Sequence, residues 1–124
     1  MNVVDSSGWI EYFTEGPNSA AFAEVMAHTD QLVVPTISIY EVYRWVLQKH
    51  GESDATFAIA LMQQGKVVDL SVHLALEAAR TRMAVGMPMA DSIILATARA
   101  SDATLWTLDS HFAGIQGVRY IPRV

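Results

Sequence analysis

Four acidic residues sit at the edges of apolar runs, where a carboxylate is costly unless something offsets its charge. Asp5 ends the run Asn2-Val3-Val4, and Asp109 ends Leu105-Trp106-Thr107-Leu108. Glu41 follows Leu32-Val33-Val34-Pro35 within two helical turns, and Asp91 opens the apolar stretch that continues through Ile93, Ile94 and Leu95. Two like charges ~4 Å apart repel by roughly 4 kcal/mol at an effective dielectric near 20, a large fraction of a small domain's net stability. If the fold gathers the four acids, they need a positive partner, and few basic residues besides Arg44 lie near them. A divalent cation meets that need. Carboxylate oxygens suit Mg²⁺ or Mn²⁺, and such an ion can activate a water for metal-assisted phosphoryl transfer or phosphodiester hydrolysis. Each acid also has a simpler local account. Asp5 and Asp109 precede helical patterns and suit N-capping, Asp91 suits the positive end of a helix, and Ser38-x-x-Glu41 fits a capping box.

Whether the acids meet depends on the elements that carry them. Short β-type runs at Asn2 to Asp5, Leu32 to Pro35, Lys66 to Leu70, Thr104 to Leu108 and Val118 to Ile121 alternate with helical patterns. Trp9, Ile10 and Phe13 mark the first helix, and Gly16-Pro17-Asn18 separates it from a second carrying Phe22, Val25 and Met26. A third runs from Thr36 to Lys49-His50-Gly51, and a fourth from about Ser53 to Gln64. Val72, Ala75, Leu76, Ala79 and Met83 form the apolar stripe of a fifth, closed by Gly86 and Pro88. The sixth, Ala90 to Ala100, is apolar almost all round and should be buried on most sides. Strands separated by helices imply parallel pairing with right-handed crossovers, hence a three-layer α/β/α sandwich on a central parallel sheet. The functional crevice of such a sheet lies at the carboxyl ends of its strands, where Asp5 and Asp109 stand.

Composition bounds the rest. The chain has 124 residues, enough for a single domain spanning 1–124, and at 52% hydrophobic it is too apolar for disorder. The absence of cysteine excludes disulfides and thiolate zinc sites. With no charged leader at Met1 and no long apolar stretch, a soluble cytoplasmic protein without a membrane anchor is expected. The net charge of −5 argues against gripping nucleic acid by bulk charge, but leaves room for a local site.

Asn2-Val3-Val4-Asp5-Ser6-Ser7, Tyr40-Glu41-Val42, the stretch Gly86-Met87-Pro88-Met89-Ala90-Asp91-Ser92-Ile93-Ile94-Leu95-Ala96-Thr97-Ala98, and Leu105 to Phe112 resemble the PIN-domain nucleases. The match is closest to the VapC-type toxins of toxin-antitoxin pairs, and it covers nearly the whole chain. The resemblance implies a Mg²⁺- or Mn²⁺-dependent endoribonuclease with Asp5, Glu41, Asp91 and Asp109 as its acidic site. It implies that Asp5, Asp91 and Asp109 hold the ion, with Ser7 and Thr107 in supporting positions. His111 stands where the family commonly carries a further acid. The resemblance also implies an RNA substrate, a homodimer, and a cognate antitoxin whose tail lies across a hydrophobic groove. The aromatic stretches Trp9 to Phe13 and Tyr40 to Trp45 are candidate walls of that groove. Two alternatives stand beside this reading: a receiver-type Mg²⁺-binding signalling domain, and a catalytically inactive PIN-like binding module. A receiver would want adjacent acids after the first strand and a late lysine, whereas Asp5 has no acidic neighbour and the last lysine is Lys66.

Overall fold

Alternation of side chains along very short strands sets the architecture. In a computed structural model describing residues 1–124, five strands alternate with six helices. The strands are β1 (Asn2–Val4), β2 (Val33–Pro35), β3 (Lys66–Val68), β4 (Thr104–Thr107) and β5 (Val118–Tyr120). The helices are α1 (Ser6–Phe13), α2 (Ser19–Ala27), α3 (Thr36–His50), α4 (Glu52–Met62), α5 (Val72–Val85) and α6 (Met89–Ala100). Every strand pairing is parallel. β1, β4 and β5 form one hydrogen-bonded ribbon and β2 and β3 another, joined at a single bridge between Asn2 and Leu32. The spatial order is therefore β3-β2-β1-β4-β5.

Consecutive strand residues serve opposite layers. Val4 and Val34 pack with Trp9, Phe22, Val42 and Ala58 beneath α1 to α4. Their neighbours Val3 and Val33 join Leu105 against Ile94 and Leu95 of α6 on the other face. The chain builds outward from β1 through β2 to β3, then returns to the far side of β1 with β4 and β5. Its direction thus reverses between β1 and β4, and ligand crevices in open α/β sheets lie outside the carboxyl ends at such a point. The order also differs from the 2-1-3-4-5 order of receiver-type folds, which removes the signalling alternative.

As expected for a helix apolar on all sides, α6 is buried without interruption from Ser92 to Ala98. The fifth helix forms where its pattern places it but faces the other way. Val72, Ala75, Leu76, Ala79 and Met83 are all exposed, Val72 at 79% and Met83 at 87%. α5 instead buries Leu74, Ala78 and Thr81, with Ala78 packed on Ile93 and Ala96 of α6. Small side chains let the two helices approach closely, so the narrower stripe lies inward and the bulkier one meets solvent. No helix is long and apolar enough to cross a membrane.

Close packing also fixes the start of α1. A Cβ on Gly8 would lie 2.5 Å from Val4 Cγ1 and 2.6 Å from Phe22 Cε1. Alanine favours a helix over glycine by up to about 1 kcal/mol, yet overpacking this junction costs about 1–3 kcal/mol. Gly8→Ala is therefore expected to lower the urea unfolding midpoint. An unchanged or raised midpoint would contradict the close contact of α1 with β1 and α2.

Candidate metal centre

Both strands that flank the reversal are followed by turns whose first N–H groups lack helical acceptors, and an Asp supplies one in each case. Asp5 Oδ1 accepts from the Gly8 N–H at 3.1 Å and caps α1. Asp109 Oδ1 accepts from the His111 N–H at 2.9 Å and caps the 3-10 turn Ser110–Phe112. Capping and a place at the crevice are thus compatible, since one carboxylate serves both.

Asp5 is only 4% exposed and is held by hydroxyls from two directions. Ser7 Oγ donates to Oδ1 and Thr107 Oγ1 donates to Oδ2, each at 2.6 Å. Each hydroxyl accepts in turn, Ser7 from the Leu108 N–H at 3.2 Å and Thr107 from the Asp109 N–H at 2.9 Å. A carboxylate offers about four lone-pair positions, so three donors leave roughly one, on Oδ2. Burial pushes the Asp5 carboxyl above its ordinary value; the bonds from Ser7, Thr107 and Gly8 oppose that rise and the charge of Asp109 adds to it.

Glu41 reaches the same region from α3. Ser6 Oγ donates to Glu41 Oε1 at 2.6 Å, and Oε2 has no protein donor. The capping-box reading of Ser38-x-x-Glu41 fails because α3 begins at Thr36, behind Pro35, with no side-chain cap. Ser38 therefore lies inside the first turn, where its Oγ is buried without a partner. Asp91 is likewise no cap: α6 starts behind Pro88, and Asp91 occupies the first turn, near the positive end of the helix. Its carboxyl is pushed up to about 6, first by partial burial and then by the charges of Asp109, Asp5 and Glu41, while His111 pulls it down. All three other acids are therefore within electrostatic reach of Asp91. His111 Nδ1 lies 2.8 Å from Asp109 Oδ1, with its ring largely in solvent.

No three acidic or histidine side chains converge closely enough to cage an ion unaided. The donor set nevertheless fits a hard cation. It consists of carboxylate oxygens, Asp5 keeps one position on Oδ2, Glu41 keeps Oε2 without a protein donor, and the charges of Asp109, Asp5 and Glu41 add to the rise that burial gives the Asp91 carboxyl. Mg²⁺ and similar ions retain several waters, so a few protein oxygens suffice. Ser6, not among the candidate residues named from the sequence, is the first of the two hydroxyl residues directly after Asp5.

The sequence matches the family described as PIN domain over residues 3–118. No curated protein matches it significantly. Among solved structures, a chain of a toxin-antitoxin complex from Klebsiella pneumoniae is 25% identical with a TM-score of 0.82, covering 100% of both chains. VapC20 of Mycobacterium tuberculosis, a sarcin-ricin loop cleaving toxin, is 14% identical with a TM-score of 0.77, covering 94% of this chain and 95% of that one. A chain of DNA-bound VapBC from Salmonella typhimurium is 14% identical with a TM-score of 0.77, covering 98% of each. The latter two likenesses are of fold.

The raised pKa of Asp91 has a signed consequence for stability. Its folded value of about 6 exceeds the ordinary 3.8, so the folded state holds the proton more tightly. That contribution is complete below the unfolded value and is lost as pH rises through about 6. In chelator, the stability that Asp91 contributes is expected to fall as pH rises from 3.8 through about 6. After discounting for screening of a half-exposed group, that fall is about 1–2 kcal/mol. Asp91→Asn should flatten the slope by that amount in urea titrations at each pH; parallel pH profiles for the two proteins would contradict the electrostatic coupling.

Proposed function

The chain belongs to the PIN domain family, and from that premise we propose that it is a Mg²⁺- or Mn²⁺-dependent endoribonuclease acting as the toxin of a toxin-antitoxin pair. The observation that supports this reading best is the buried Asp5 at the carboxyl end of β1, held by Ser7 and Thr107 beside Asp109 at the end of β4. In this reading Asp5, Asp91 and Asp109 hold the cation, directly or through water. When bound, such an ion lowers the pKa of a water and offsets charge on phosphoryl oxygens.

The chain's own residues supply orientation. Ser7 and Thr107 lock the Asp5 carboxylate so that its one remaining acceptor position has a fixed direction. Glu41 Oε2, without a protein donor, is the acceptor for a proton of the attacking water. Hydrolysis then adds that water across one P–O bond, and the departing ribose oxygen takes up a proton from solvent. A net charge of −5 leaves little general attraction for RNA, so selectivity rests on the shape and unpaired bases of a particular RNA in the cytoplasm.

Two partners follow. Solved structures similar to this chain include one from a toxin-antitoxin complex, and an antitoxin segment suits the apolar hollows on the α1 to α4 face. One, of about 240 Å³, is lined by Trp9, Tyr12, Met26 and Leu61; another, of about 220 Å³, by Phe13, Trp45 and Phe57. Both hollows draw on the stretch Trp9 to Phe13, and the second adds Trp45 of α3 and Phe57 of α4. A second copy of the chain suits the outward stripe of α5, where Val72, Leu76 and Met83 are exposed.

Asp91→Asn removes one carboxylate while preserving size. In protein purified free of contaminating RNase, it is expected to lower Mn²⁺-dependent RNA cleavage at least ~100-fold, as judged on denaturing gels. It should leave the fold intact or more stable. Cleavage by the variant at the wild-type rate would overturn the proposal.

A further inference from the structure

Two neighbouring hydroxyls at the start of α1 are divided between two different carboxylates. Ser7 turns back onto Asp5, whereas Ser6 crosses 35 positions of sequence to donate to Glu41 Oε1. Capping does not account for Ser6, because Asp5 is the residue that accepts from the free N–H of α1. The distance of 2.6 Å is that of a charge-assisted O–H to carboxylate bond. Ser6 is also well anchored: it is the first residue of α1, directly behind β1, and the Asp5 N–H bonds the Trp106 carbonyl at 3.1 Å.

Glu41 is not anchored in that way. Its long side chain leaves α3 at the margin between the buried face, which carries Ser38, Val42 and Val46, and solvent. The charges of Glu41, Asp5 and Asp109 all act on Asp91, so mutual repulsion drives a free carboxylate outward into water. Ser6 is its one protein donor.

We propose that Ser6 is a positioning residue, whose hydroxyl holds Glu41 Oε1 and so keeps Oε2 turned to the acidic crevice for water or for the hydration shell of a bound ion. This role rests on the nuclease reading for its kinetic consequence, but not for its effect on ion binding. Residues that orient ligands of a metal site typically affect activity or affinity 10- to 100-fold.

The experiment uses the full chain and four variants: Ser6→Ala, Ser6→Thr, Glu41→Gln, and the double variant Ser6→Ala with Glu41→Gln. Cleavage of a randomised RNA hairpin pool in Mn²⁺, thermal unfolding, and Mn²⁺ binding by calorimetry are measured for each. Ser6→Ala is expected to lower kcat roughly 10- to 100-fold. Its KM should change by less than about two-fold, with a thermal midpoint close to wild type. Ser6→Thr keeps the hydroxyl and should restore most of the rate. In the Glu41→Gln background, Ser6→Ala should add no further loss. A Ser6→Ala protein as fast as wild type overturns the proposal, and so does an equal loss in both backgrounds. If wild type itself cleaves no RNA, the nuclease reading has failed, and Mn²⁺ affinity decides the role of Ser6. Binding weakened about 10-fold or more by Ser6→Ala sustains the positioning role, and unchanged binding overturns it.

Discussion

The chain must keep a buried carboxylate at the point where its sheet reverses direction, and much of the local structure follows from that requirement. Asp5 is nearly inaccessible, and Asp91 and Asp109 lie within electrostatic reach of it. An unpaired buried charge costs several kcal/mol unless hydrogen bonds or counter-charge offset it. A lysine or arginine beside Asp5 would offset the charge permanently and occupy the space of any cation. Ser7, Thr107 and the Gly8 N–H supply dipoles instead, stabilising Asp5 while leaving the crevice negative. The charges of Asp109, Asp5 and Glu41 add to the effect of burial on Asp91, whose carboxyl is pushed up to about 6.

The same hydroxyls tie the site to the sheet. Thr107 belongs to β4 and bonds both Asp5 and the Asp109 N–H, so the ends of β1 and β4 are joined by side chains as well as by the ladder. Ser7 adds a second tie through the Leu108 N–H. The four acids come from the turns after β1 and β4 and from α3 and α6, and their relative placement depends on how those elements pack. The buried length of α6 serves that end, since Ile94 and Leu95 bear directly on the strands. A charge cluster of this kind is destabilising by itself, and the packed scaffold offsets that cost.

Much of this was legible in the sequence because the signals were redundant. β-branched runs ending in Asp, punctuation by Gly and Pro, and an all-apolar sixth helix agree on parallel strands and on which ends carry acids. What was not legible depended on packing. α5 has two apolar stripes, and the spacing of Val72, Leu76 and Met83 reveals a helix without revealing that Leu74 and Ala78 face inward. Ser38-x-x-Glu41 has the spacing of a capping box, but Pro35 starts the helix early and strands Ser38 inside it. The bond of Ser6 to Glu41 depends on how α1 lies against α3, which no spacing in the sequence displays. Thr107, given a supporting position by the family resemblance, bonds both Asp5 Oδ2 and the Asp109 N–H, a pairing that its spacing in the sequence does not reveal.

The most direct measurement is diffraction from crystals grown with Mn²⁺, with data collected to record its anomalous signal. A peak bonded to carboxylate oxygens of Asp5 and of Asp91 or Asp109, with waters completing the coordination, is the expected result. A protein that cleaves RNA in Mn²⁺ but shows no anomalous density in this crevice, or shows it bonded to other residues, would contradict a metal centre built on these acids.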